Sequence, residues 1–296
     1  MRIVLQGTGT PFGISRDLGY LTCERRAWLD EQHKAGLDPD AVEPLPPEQL
    51  DAKGKRKPLA NTVGTAVHEL LRLWRIGKPI PASGCEFYWH DQPMEDTHPA
   101  TCNEARRIYR AYEMDRDPRE FGEVVATELQ LKAPLELFGC EKTGAVDLVA
   151  RVGEEEVAYL ASTFGLLLPG PGIYLVDDKT DDRNEGQKTV DEYLMRAQFK
   201  LYHCLYDVQY GELLGEARGS IANVIFKTAE VKYKPIFVPA PSADDMKMIA
   251  HIVGYAESQR AIGRSGVLPM ARPSDSACRS WGRVCQHFTA GRCKRY

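Results

Sequence analysis

The run Gly172-Ile173-Tyr174-Leu175-Val176 constrains this chain most tightly, because apolar β-formers lead without a break into Asp177-Asp178-Lys179-Thr180. Such a stretch reads as a strand with a charged end. Side chains two apart on a strand share a face. Asp177 and Lys179 therefore project together, while Asp178 points away and leaves its backbone carbonyl near them. A second apolar run, Gly144-Ala145-Val146-Asp147-Leu148-Val149-Ala150, embeds one carboxylate. A buried carboxylate requires a partner or a metal.

Magnesium takes oxygen ligands, keeps several waters and uses one or two protein carboxylates, so Asp147 and Asp177 suffice for one ion. His68 lies in Gly64-Thr65-Ala66-Val67-His68-Glu69-Leu70-Leu71, where Val63, Val67, Leu70, Leu71 and Trp74 follow helical spacing. It borders that stripe and would complete a manganese-tolerant shell, since imidazole suits the later transition metals. Gln198 and Tyr202 lie four apart beside a second stripe formed by Val190, Leu194, Ala197, Leu201, Leu205 and Val208. Residues at that spacing are neighbours on one helix face, where an amide and a phenol would orient the lysine, a metal-bound water or a phosphate. Two carboxylates and an ammonium meeting at one place suit phosphodiester hydrolysis. Taken singly, each feature also has an ordinary structural reading: a solvated strand end, a hydrogen-bonded core histidine, an amphipathic helix.

In this order the elements resemble the RecB-like branch of the PD-(D/E)XK nuclease superfamily: a helical His, a strand Asp after a Gly, an acidic-x-Lys strand, then Gln-x-x-x-Tyr. The resemblance spans roughly His68 to Tyr202. It implies an α/β, restriction-endonuclease-like core with a central mixed sheet flanked by helices. It further implies His68, Asp147 and Asp177 as ligands of Mg2+ or Mn2+, the Asp178 carbonyl assisting, and Lys179 positioning the attacking water or stabilising the phosphorane. Gln198 and Tyr202 complete the catalytic set. The implied activity is a metal-dependent deoxyribonuclease, an exonuclease on single-stranded or frayed ends in repair, recombination, or CRISPR or phage DNA processing. A non-catalytic DNA-end-binding module and a structure-specific endonuclease are the alternatives. A recombination protein, a helicase or a CRISPR-adaptation protein would be the partner. Asp147 and Asp177 stand thirty positions apart, and Glu154-Glu155-Glu156 with Pro169-Gly170-Pro171 reads as an inserted excursion.

Of eight cysteines, Cys278, Cys285 and Cys293 cluster near the end of the sequence, with Gly282 and Gly291 allowing turns. Cys-x-x-Cys zinc knuckles are missing there. Cys23, in Leu21-Thr22-Cys23-Glu24-Arg25-Arg26-Ala27-Trp28, resembles the Cys-x-Arg-Arg-x-aromatic opening of iron–sulfur RecB-like exonucleases. That resemblance implies one N-terminal and three C-terminal thiolates holding a [4Fe–4S] cubane that joins the terminal elements. Zinc is the alternative metal, with His287 a substitute ligand. Cys85, Cys102, Cys140 and Cys204 read as apolar fillers.

The opening residues lack the pattern of a signal peptide, and no apolar run is long enough to span a bilayer. The expectation is a soluble, cytoplasmic protein, in which cysteines are free, metal-bound or catalytic rather than paired. Over 296 residues, 43% of them hydrophobic, the layout reads as a single nuclease domain. Residues 1–60 supply an N-terminal helix and a basic, Pro-rich loop, 61–240 the catalytic core, and 241–296 a helix and the Cys-rich tail. The net charge of −4 gives no global support for nucleic-acid binding. Local patches do: Arg272, Arg279, Arg283, Arg292, Lys294 and Arg295 face only Asp275 in the tail, and Lys53, Lys55, Arg56 and Lys57 form another basic run. Trp281, Phe288 and Tyr296 interleave the tail as a stacking surface for single strands requires, or pack over the cluster.

Overall fold

The computed structural model describes residues 27–29, 31–32, 60–80, 88–89, 92–93, 99–133, 142–181 and 197–266. Cys23, Cys278, Cys285, Cys293, His287 and the two basic runs lie outside these residues, as do Cys85, Cys140, Val190 and Leu194. Five strands form a mixed sheet in the order β3-β4-β5-β6-β7, namely β3 (Glu123–Ala133), β4 (Lys142–Val152), β5 (Gly172–Asp181), β6 (Ala217–Phe226) and β7 (Lys232–Pro239). β1 (Tyr88–Trp89) and β2 (Gln92–Pro93) make a separate antiparallel ribbon. β4 pairs antiparallel with β5, β5 parallel with β6, and β6 antiparallel with β7. A parallel pair needs a long crossover, usually helical, and the segment between β5 and β6 carries α4 (Ala197–Leu214).

The two faces of the sheet carry different partners. Val176, Asp178 and Thr180 share one face with their register mates Ile221, Asn223 and Ile225. Ile225 is buried with Val63, Val67 and Leu70 of α1 (Ala60–Arg75) and with Ala105, Ile108 and Tyr112 of α2 (Pro99–Asp115). Further along, Leu148, Ala150, Tyr174, Val176 and Ile221 pack with Leu160 of α3 (Glu154–Phe164). On the opposite face, Ala222, Val224 and Phe226 receive Phe199 of α4.

The predicted excursion between β4 and β5 contains a helix, a feature absent from the sequence reading. Glu154, Glu155 and Glu156 occupy its first turn, where carboxylates complement the helix dipole. Glu156 accepts a hydrogen bond from the Gly153 N–H at 2.9 Å, and Gly165 ends the helix with φ 64°. The antiparallel pairing of β4 and β5 survives this insertion. Along α4, Ala197, Leu201 and Leu205 are buried as their spacing predicts, but Val208 is exposed. Cys102 is a buried member of the α1–α2 core.

By its contacts the chain divides into two compact units. One comprises Pro46–Leu131 and Ala145–Ala240. The other comprises Met1–Leu45, Lys132–Gly144 and Pro241–Tyr296. In this second unit, Arg260 of α5 (Ala243–Arg264) donates to both carboxylate oxygens of Glu31, and the Trp28 indole lies so close to Gly263 that a Cβ there would meet it at 2.5 Å. Among the described residues no helix is long and apolar enough to cross a membrane.

Gly122 controls the approach to β3: its φ is +92°, and a Cβ there would lie 2.2 Å from the Arg151 carbonyl oxygen. Gly122→Ala is expected to destabilise the fold by about 1–3 kcal/mol, the usual cost of forcing such a backbone on a larger residue. Urea unfolding measures this. A midpoint equal to that of the wild type would show that the turn relaxes freely.

Candidate active site

β4 and β5 bring the acidic residues together. Their register ends with Leu148 opposite Val176, and just beyond it Asp147 comes close enough for its charge to raise Asp177. The Lys179 ammonium forms a close ion pair with Asp177 Oδ2. Asp147 Oδ2 accepts a hydrogen bond from the Asp178 backbone N–H at 2.7 Å. From α1, His68 Nδ1 lies 3.4 Å from the same Asp147 oxygen. On α4, Gln198 Nε2 donates to the Tyr202 hydroxyl at 2.9 Å.

Electrostatics separates the two carboxylates. Burial and the neighbouring Asp147 push Asp177 up to about 6, against the opposing pull of Lys179. Burial would raise Asp147 too, but His68, Lys179 and the Asp178 N–H outweigh it and hold that carboxyl below its ordinary value. His68 is raised: burial works against its charge, and Asp147 more than compensates. Lys179 likewise overcomes burial through Asp177 and Asp147, and its pKa lies above the ordinary lysine range. Burial, then the charge of Asp177, raises the Tyr202 phenol, which feels Lys179 as well.

Asp178 points to the opposite face, as the strand alternation predicts. There it accepts two hydrogen bonds from Arg75, at 2.5 and 2.9 Å, and one from Asn223 at 2.7 Å. Neither Arg75 nor Asn223 was identified in the sequence as part of the site. Glu128 of β3 is a further residue that the motif reading missed. It has φ 52°, unusual for a non-glycine residue. Its carboxyl is pushed up to about 8 by burial and by Asp147, against the pull of His68 and Arg72. The signal was present in Val124-Val125-Ala126-Thr127-Glu128-Leu129, an apolar β-prone run interrupted by one acid.

Among the described residues no three His, Cys, Asp or Glu side chains converge as a ready-made metal shell. The donor pair Asp147 and Asp177 nevertheless fits a hard divalent cation. The two acids repel each other, and Asp177 Oδ2 is buried with no hydrogen bond beyond its ionic contact to Lys179. Magnesium needs no more than one or two carboxylates. While the His68 Nδ1 contact to Asp147 holds, only Nε2 remains for a metal.

No family model and no curated protein matches the chain. Among solved structures it is similar, at 13% identity, to a protein from Eubacterium rectale provisionally named an exonuclease. That match covers 79% of this chain and 76% of the other, with a TM-score of 0.43. It is similar also to SSO0001, at 15% identity over 55% of this chain and 57% of that one, with a TM-score of 0.31. At these scores the chemistry has to be read from the side chains themselves.

The three shifts make the stability of the metal-free protein depend on pH with a definite sign. Asp177, raised from 3.8 to about 6, contributes fully below its ordinary value and loses that contribution as pH rises through about 6. His68, raised above 6.5, acts in the same direction at higher pH, whereas the contribution of Asp147 is lost as pH falls below 3.8. Thermal unfolding in chelator should therefore show a maximum near pH 4 and a decline from there to about 6. Asp177→Asn should flatten the decline near pH 6, and an unchanged decline in that variant would show that Asp177 is not its source.

Proposed function

We propose that this chain is a metal-dependent nuclease of PD-(D/E)XK type that hydrolyses phosphodiester bonds in DNA, acting as an exonuclease on single-stranded or frayed ends. The observation that carries this reading is the convergence of Asp147, Asp177 and Lys179 just beyond the paired residues of β4 and β5. A structural ion pair needs one carboxylate for one ammonium. Two carboxylates beside one lysine offer oxygen donors to a cation that a phosphate also approaches.

Asp147 and Asp177 would hold Mg2+ or Mn2+, which when bound supplies Lewis acidity and neutralises charge on the phosphate. Lys179 is held firmly protonated by both acids. It therefore acts as a fixed positive charge toward the developing phosphorane rather than as a base that takes the proton of water. His68 holds Asp147 through Nδ1 and keeps that carboxylate ionised. Gln198 and Tyr202 pair with each other in the field of Asp177 and Lys179, which places a hydroxyl beside the lysine.

End-labelled single- and double-stranded DNA, incubated with purified protein in Mg2+ or Mn2+, tests the reading. Lys179→Ala should lower cleavage by roughly 100- to 1000-fold, the usual effect of removing one transition-state donor, while DNA binding persists. Asp147→Ala or Asp177→Ala should abolish cleavage, and His68→Ala should reduce it less, because water replaces one imidazole. Cleavage by Lys179→Ala within about tenfold of wild type, far short of such an effect, would remove the lysine from the mechanism. Absence of cleavage in the wild type would leave a DNA-end-binding module.

The iron–sulfur reading stands on Cys23, Cys278, Cys285 and Cys293 as a sequence pattern. Protein purified without oxygen is expected to be brown, with about four iron and four sulfide per chain for a cubane on four thiolates. Stoichiometric zinc without iron would replace the cluster and leave the nuclease reading untouched.

A further inference from the structure

We infer that Arg75, with Asn223, is a positioning residue: by clamping the side chain of Asp178 it holds the strand backbone that sets Asp147 against Asp177, and it ties α1, which carries His68, to the same strand. The inference rests on the nuclease reading for its catalytic consequence, though not for its geometry.

Asp178 is the middle residue between Asp177 and Lys179, and its N–H and its carboxylate are committed in different directions. Its N–H holds Asp147 Oδ2 at 2.7 Å. Its carboxylate takes both Arg75 nitrogens, at 2.5 and 2.9 Å, and the Asn223 amide at 2.7 Å. The Arg75 and Asp178 side chains are each only 1% exposed. Asn223 Nδ2 also donates to Tyr112 Oη at 2.9 Å, and Tyr112 donates to Glu120, which pairs with Arg116. The clamp therefore joins α1, α2, β5 and β6 at one residue.

A buried ion pair is a poor source of net stability, because desolvation consumes most of the attraction. A bidentate guanidinium–carboxylate contact instead fixes geometry closely. Arg75 stands two helical turns after His68, on the same side of α1. Near the start of that helix, a Cβ on Gly64 would come within 2.8 Å of Thr180 Oγ1. Helix α1 thus meets this part of the sheet at Gly64, His68 and Arg75. Loss of the last contact frees β5 to shift under Asp147, and the Asp178 N–H is the first bond to feel it.

The test compares Arg75→Lys, which keeps charge without the fork, with the charge-neutral pair Arg75→Met/Asp178→Asn, which leaves no unpaired buried ion if the single variant fails to fold. In metal-free protein, amide exchange at residue 178 should quicken about 100-fold in the neutral pair and less in Arg75→Lys, as a local opening would produce. The amides of Tyr174 and Val176 should keep their protection. Titrated Mn2+ should bind about 10- to 100-fold more weakly, as loss of a partner behind a metal ligand typically causes, and kcat should fall with KM for DNA unchanged. Unaltered exchange at residue 178, or equal acceleration at all three amides, would overturn the inference and reduce the clamp to general stability. If the wild type neither binds Mn2+ nor cleaves DNA while residue 178 still responds alone, the clamp stands and the nuclease reading falls. If the wild type cleaves and residue 178 stays protected in the variants, the reverse holds.

Discussion

Two carboxylates brought together at a buried place repel each other, and the polar contacts of Asp147 and Asp177 answer that repulsion. In a medium that screens charge poorly, neither Asp147 nor Asp177 is easily kept ionised without a compensating partner. Three donors meet Asp147 and Asp177: the His68 imidazole from α1, and the Asp178 N–H and Lys179 ammonium from β5. The division is unequal. Asp147 receives the imidazole and the amide and is held below its ordinary value, while Asp177, paired closely with the lysine, is pushed up to about 6. An added cation would relieve the pair, and Asp177 would gain most from it.

The alternation of a strand lets three consecutive residues carry two jobs. Asp177 and Lys179 look toward the face covered by α4, and Asp178 looks toward the face covered by α1 and α2. The same three residues thus hold the chemistry on one side and the anchor on the other, with only the thickness of the backbone between them. A motif written as acidic-x-Lys treats its middle position as a spacer. Here that position is among the most tightly bonded residues of the sheet, and its partners Arg75 and Asn223 come from sequence neighbourhoods with no motif of their own.

How much of this was legible follows from the range of the interactions. Strand alternation and helical spacing are local, so the placement of Asp177, Lys179 and Asp178 on opposite faces, the burial of Val63, Val67 and Leu70, and the α/β class with a mixed sheet were readable from neighbouring residues. Helix α3 carries ordinary start and stop signals, Glu154-Glu155-Glu156 before apolar residues and Gly165 after them, within an insertion that its proline-glycine run marks as a loop. Val208 continues the spacing of the α4 stripe and is nevertheless exposed, although Gly211 beyond it is buried. Arg75, Asn223 and Glu128 were invisible for a different reason. Their partners lie far away in sequence, 103 positions in the case of Arg75 and Asp178, and no local pattern distinguishes an arginine that will be buried from one that will remain in solvent.

The register of β4 against β5 follows from the same packing. Antiparallel strands can slip, and a slip by one residue moves every side chain to the other face. For β4 that slip would carry Asp147 away from Asp177 and Lys179, and would turn Leu148, Ala150 and Val152 out of their cluster with Leu160, Tyr174 and Phe121. The polar site alone is a weak judge of register, since its attractions are partly cancelled by desolvation. The apolar cluster is a strong one, because each buried aliphatic side chain contributes on the order of 1.5–3 kcal/mol. Leu160 belongs to α3, so the insertion between the two strands supplies part of the core that fixes their alignment. The carboxylates converge just beyond the stretch that this apolar cluster aligns.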